Sequence, residues 1–271
     1  DGIPAIPQDT TDRNRTSPLA FTGNKFEFRM VGSSQSIAGP NIALNTIMAE
    51  QLCRFADALE KAEDFDATLQ QIVSRALSQH QRIIFDGNGY SEAWKQEAAR
   101  RGLSNLPSTA EALPAYVSSK NIDLVERHGI FNETEFRARY SIHLESYRKV
   151  VNIEARTMVD MAMHQILPAA AAYSGELCQT AAGKKALGVS CRSELDLISK
   201  LSESQDALYD RIQQLIRELT GIPTDARKAA EYCRQVIIPS MDAIRSHADR
   251  LEELTAKKYW PFPSYSDMLF Y

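Results

Sequence analysis

Two apolar stripes in the last third of the chain constrain the fold most. Leu201, Leu208, Ile212, Leu215 and Leu219 advance by 7, 4, 3 and 4 residues, which places all five on one helix face. "TGIPTD" at 220–225 interrupts: Gly221 reads as a helix stop, Pro223 as a breaker and Thr224 as a new cap. Ala230, Cys233, Ile237, Met241, Ile244, Ala248 and Leu251 then advance by 3, 4, 4, 3, 4 and 3. Two amphipathic helices joined by so short a turn predict an antiparallel hairpin, each burying its stripe on the other.

The texture is helical from Pro40 onward. Leu44, Ile47, Met48, Leu52, Phe55 and Leu59 predict a helix over 41–62, and Leu69, Ile72, Val73, Ala76 and Leu77 another over 66–82. Ser91 caps a short helix ending at Gly102, and another near 122–127 stops at Gly129. From Glu133, with Asn132 as cap, Phe136, Tyr140, Leu144, Tyr147, Val151, Met158 and Ala162 mark a long stripe. Pro168 in "ILPAA" predicts a kink or end, and Pro239 in "IIPSM" repeats that context. The tail "KKYWPFPSYSDMLFY" is expected to be extended and pinned through its rings. Before Pro40 the reading is loop over 1–24, a strand over 25–30 and a Gly/Ser loop over 31–40.

The 271 residues can bury a sizeable core, with 44% hydrophobic and 24% charged residues. A net charge of −4 gives no support to binding nucleic acid or an anionic membrane. No apolar run approaches the roughly 20 residues that span a bilayer. The N-terminus has no signal-peptide pattern, and a start at Asp1 without Met reads as a piece of a longer protein. Cys53, Cys178, Cys191 and Cys233 are far apart, which predicts free thiols and argues against a zinc site.

Most candidate motifs have a plain structural reading. His80, His128, His143, His164 and His247 form neither HxxxH nor HExxH, and read as surface or satisfied polar residues. "GNGYS" at 87–91 lacks GK[ST] and reads as turn plus cap, Cys191 in "GVSCRS" as a loop cysteine, and Met158, Met161 and Met163 as core filler. The stretch "NKFEFR" is different. In a strand, Lys25, Glu27 and Arg29 share one face while Phe26 and Phe28 share the other. Periodicity alone admits a solvated edge strand. Burial of both rings would instead hold the charges in place. Arg13 and Arg15 lie just upstream in "DRNR", so four cations would surround one carboxylate, a setting for an anionic substrate or for Mg²⁺ or Mn²⁺ beside a nucleotide phosphate. One acid makes only part of a metal site.

"DRNRTSPLAFTGNKFEFRMVGSSQSIAGPNIALNTI" resembles glutamine synthetase, in its long type III class. So, in order, do "IIFDGNGYSEAWKQEAARRGLSNLPST", "HGIFNETEFRARY", "NIEARTMVDMA" and "WPFPSYSDMLFY". The resemblance implies that Glu27 ligates a catalytic divalent metal, Mg²⁺ or Mn²⁺. It implies that Arg29 contacts glutamate or its transferred phosphate, that Lys25 contacts ATP and that Arg15 lies near the phosphates. Lys25 stands where shorter classes have Arg, keeping charge but losing the bidentate fork. A further Arg of those classes has no counterpart in "SPLAF", and no residue is assigned to its role.

The implied fold is mainly α. Residues 1–45 would be the last strand and loops of the catalytic α+β domain. Residues 46–271 would be a C-terminal helical bundle with long helices at about 133–167, 194–220 and 224–256. The implied chemistry is a cytoplasmic ligation of glutamate and ammonia with ATP, through a γ-glutamyl phosphate, in a homo-oligomer, a dodecamer of two stacked rings. The upstream part of the same enzyme would hold the remaining site residues, so this chain alone is expected to be inactive. Two other readings are a non-catalytic helical assembly or regulatory module, and an independent bundle-type binding protein.

Overall fold

The computed structural model describes residues 19–21, 26–29, 32, 35–85 and 87–269, of 19–21 and 26 the backbone alone. Helix dominates, as expected. The described strands are β1 (Leu19–Phe21) and β2 (Phe26–Phe28), antiparallel, with Leu19 opposite Phe28, Ala20 opposite Glu27 and Phe21 opposite Phe26.

The chain divides into two units, residues 1–107 with 118–136, and residues 108–117 with 137–271. The first holds the strands, α1 (Ala38–Glu60), α2 (Phe65–His80) and α3 (Glu92–Arg100). α4 (Thr109–Tyr116) belongs to the second unit, and α5 (Ser119–Arg127) to the first. Asp64 caps α2 by accepting from the Ala67 N–H at 3.0 Å, and Ser91 caps α3 by accepting from the Trp94 N–H at 3.2 Å. α3 and α5 stop at Gly102 and Gly129, whose φ of 70° and 62° suits glycine. Phe85 stacks on Trp94 with ring centroids 4.1 Å apart. Gly87 packs close beside them: a Cβ there would lie 2.8 Å from the tip of the Phe85 ring, which would have to shift. The buried positions of α1 are Thr46 and Glu50, whereas Ile47, Met48 and Leu52 on its predicted apolar stripe are exposed.

α6 (Glu133–Met161) opens with a capping box. Asn132 Oδ1 accepts from the Glu135 N–H at 2.9 Å, and Glu135 Oε2 accepts from the Asn132 N–H at 3.0 Å. In the second unit the helical path does not end near 167. A π-turn at Ala162–Ile166 leads into α7 (Leu167–Ala186), with Pro168 as an early residue of the new segment. In an unbroken α-helix the Pro168 ring would strike the carbonyl four residues back. The wider turn, in which the Leu167 N–H bonds the Ala162 carbonyl, relieves that clash. The same device recurs between α9 (Ala226–Tyr232) and α10 (Ile238–Leu254), where a π-turn at Cys233–Ile237 precedes Pro239.

The second unit is a bundle of three helical rods: α6 with α7, then α8 (Arg192–Thr220), then α9 with α10. α8 and α10 form the predicted hairpin. Leu201, Leu208, Ile212 and Leu215 of α8 are fully buried with Cys233, Ile237 and Leu251, and Val151, Ala155, Ala162 and Ala170 join them from the first rod. Small alanines there let the rods approach closely. The cap of α9 is Asp225, not Thr224: its Oδ1 accepts from the Lys228 N–H at 2.9 Å. Met158 and Met163 pack against this core. In the tail, Trp260 and Phe262 do the same, and Lys258 Nζ lies 2.6 Å from Glu176, which also accepts from the Tyr259 hydroxyl. The tail is not extended to its end, because α11 (Tyr265–Leu269) forms there and leaves Tyr265 exposed. All four cysteines are free thiols, and burial pushes that of Cys233 up. No helix among the described residues is long and apolar enough to cross a membrane.

Candidate functional site

The alternation of β2 places Glu27 and Arg29 side by side on one face. Arg29 Nη2 lies 2.5 Å and Nε 3.1 Å from Glu27 Oε2. The two side chains are 23% and 26% exposed, partly shielded yet open to an approaching ligand. The opposite face departs from expectation. Phe28 is 39% exposed, so its ring is not an anchor among the described residues. A two-stranded ribbon has too little surface of its own to bury it. The side chain of Phe26 lies outside the described residues, as do Lys25, Arg13 and Arg15.

A carboxylate beside a guanidinium can share an anionic ligand between a metal ion and a fixed fork of donors. The pair does not make a metal centre. Mg²⁺ takes about six oxygens, and no group of three or more His, Cys, Asp or Glu that could hold a metal occurs among the described residues. Glu27 offers one carboxylate.

A second charged cluster gave no sequence signal. Glu50 of α1 is 9% exposed and meets α5. His128 Nε2 lies 2.8 Å from Glu50 Oε2, Arg54 Nε lies 2.8 Å from Oε1, and Arg127 donates to Oε1 as well. The hydrogen bond from His128, then that from Arg54, push the Glu50 carboxyl down to about 2. A carboxylate so held cannot trade protons near neutrality. It is a clamp between two helices, and it makes His128 the satisfied polar residue expected of it. Its folded pKa lies below the ordinary carboxyl value of 4.5, so its stabilisation is full above that value and is lost as pH falls toward 2. Thermal unfolding followed by circular dichroism should show a midpoint that declines over that window. Glu50→Gln should lower the midpoint at pH 6 and flatten the decline.

The chain is a mainly α protein: a bundle of three helical rods forms its second unit, and its first unit carries a strand with an acid–guanidinium pair. Residues 68–185 match the glutamine synthetase C-terminal domain family. Along nearly its whole length the chain is similar to glutamine synthetases. It is 38% identical to the type-3 glutamine synthetase of Dictyostelium discoideum over 99% of its own length and 38% of the relative's. It is 37% identical to a glutamine synthetase of Bacteroides fragilis over 99% of the chain and 38% of the relative, and 34% identical to one of Butyrivibrio fibrisolvens over 97% and 38%. The chain thus spans little more than a third of the length of these relatives.

Proposed function

We propose that the complete protein is a glutamine synthetase and that this chain contributes one wall of its active site. The reaction is glutamate + ATP + NH₃ → glutamine + ADP + Pi. ATP transfers its γ-phosphoryl group to the side-chain carboxylate of glutamate, and ammonia displaces phosphate from the acyl phosphate. In this reading Glu27 supplies one oxygen ligand to a catalytic Mg²⁺ or Mn²⁺, which when bound offsets phosphate charge. Arg29 holds the glutamate carboxylate or the transferred phosphoryl group with its rigid fork. Lys25 meets ATP and Arg15 its phosphates. Phosphoryl transfer suits such parts because it depends on positioning and on charge already in place.

The observation that carries this reading is the juxtaposition of Glu27 and Arg29 on one strand face, within a sequence that aligns along nearly its whole length with glutamine synthetases. The exposed Ile47, Met48 and Leu52 of α1 support it further, as a face on which the remainder of the catalytic domain would pack. The domain boundary near residue 45, the cytoplasmic setting and the dodecamer of two stacked rings belong to the same proposal. Residues 1–271 alone are then expected to make no glutamine from glutamate, ammonia and MgATP. Turnover at a rate resembling the complete enzyme would refute the reading.

The alternative, a non-catalytic assembly or regulatory module, draws on the second unit, whose core is built from its own three rods. Deletion of 133–258 from the complete enzyme separates the roles: it should disturb assembly or solubility, whereas changes at Glu27 should not.

A further inference from the structure

A cavity of about 570 Å³ lies within the second unit, bounded by α6, the first π-turn, α10 and the tail. Its walls are soft and aromatic. Met158, Met161 and Met241 line it, with Trp260 and Phe262, whose rings meet edge to face at 6.0 Å between centroids. Methionine and aromatic surfaces adapt to varied apolar shapes, and the volume falls in the range of sites for small organic ligands. The polar lining is one-sided. Glu154, Asp249, Glu252 and Arg245 give three negative charges and one positive, net −2. Arg245 Nε is taken by Asp249 Oδ1 at 2.5 Å. Glu154 and Glu252 make no ion pair within 4.0 Å among the described residues, and the charge of Glu252 adds to that of Asp249 in holding the Arg245 guanidinium protonated.

We propose that this cavity binds an amphipathic organic cation, an alkyl- or aryl-ammonium. Its apolar body would lie against the methionines and the Trp260 and Phe262 rings, and its charge toward Glu154 and Glu252. The apolar walls exclude a bare metal ion, which needs oxygen ligands on several sides. An anionic ligand would meet the net negative lining. A ring face and two carboxylates both favour a cation. The proposal does not depend on the synthetase reading.

The probe is 4-phenylbutylammonium, with 4-phenylbutanol and 4-phenylbutyrate as neutral and anionic counterparts. Calorimetry on the unmodified chain measures all three, and the fluorescence of Trp260 in a Trp94→Phe background reports whether binding occurs at this cavity. The cation should bind saturably, about tenfold tighter than the alcohol, and the carboxylate weakest. The double variant Glu154→Gln, Glu252→Gln alters two exposed side chains, so it should fold normally. It should bring cation and alcohol to within about twofold of each other. No saturable cation binding by calorimetry, equal binding of the three probes, or a cation preference that survives the double variant would each overturn the proposal.

Discussion

Glu27→Ala in the complete enzyme should cut glutamine synthesis by at least about 10²–10³-fold, the scale set by removing one preorganised charge from a transition-state site. Its oligomeric state should be unchanged. The side chain stands on a short strand and bonds Arg29, so its loss removes no core packing. If Glu27 ligates the metal, two further effects are expected. The requirement for Mg²⁺ or Mn²⁺ should shift to higher concentration. Glu27→Gln should be nearly as impaired as Glu27→Ala, because an amide oxygen carries no charge to offset the cation. Full activity of Glu27→Ala, measured as phosphate released and glutamine formed, would return β2 to the status of a solvated edge strand. A loss of activity accompanied by dissociation would make its role structural.

Leu208→Ala should destabilise the bundle by about 2–5 kcal/mol, the range for truncating a fully buried leucine. Leu208 is 0% exposed and packs in the core shared by all three rods. Its removal therefore costs transfer energy and leaves a void that helices of fixed spacing cannot close. The neighbouring Tyr209→Ala is the control. Tyr209 is 47% exposed, and its loss should change stability by about 0.5 kcal/mol or less. Urea unfolding followed by circular dichroism reads both. Equal effects at the two positions would contradict the face assignment of α8.

Periodicity was legible wherever a stripe was buried by its own neighbours. Leu201 to Leu219 are buried as their spacing requires, and so are Ala230, Cys233, Ile237, Ile244, Ala248 and Leu251, with Met241 partly buried against them. The hairpin follows because five residues cannot carry the chain far before it returns. The same logic, applied with period 2, put Glu27 and Arg29 on one face. It failed for Phe28, whose burial depends on what lies across the ribbon, and for the stripe of α1, where Ile47 and Leu52 are exposed. An amphipathic pattern says that a face seeks cover without saying what covers it.

Proline illustrates the limit at the backbone. "ILP" and "IIP" announce a disturbance in each helix, and at Pro168 the sequence admits either a bend or an end. The structure resolves them by inserting a π-turn before each proline, so the rod runs on to Ala186. A turn of this kind costs hydrogen-bond geometry. It forms here where Ala162, Ile166, Cys233 and Ile237 are buried on neighbouring rods, and that burial offsets the cost.

What the sequence determined by itself was local and periodic: the helices, the hairpin, the caps at Ser91 and Asn132, and the sharing of one strand face by Glu27 and Arg29. Each depends on residues within a few positions of one another. Tertiary structure alone decided the rest. Glu50 finds Arg127 and His128 across 77 and 78 residues. The tail returns to set Trp260 and Phe262 beside Met158, Met161 and Met241. Such meetings carry no period, because they are set by where packed helices bring distant side chains, and a charge or ring acquires its role only from what it then touches.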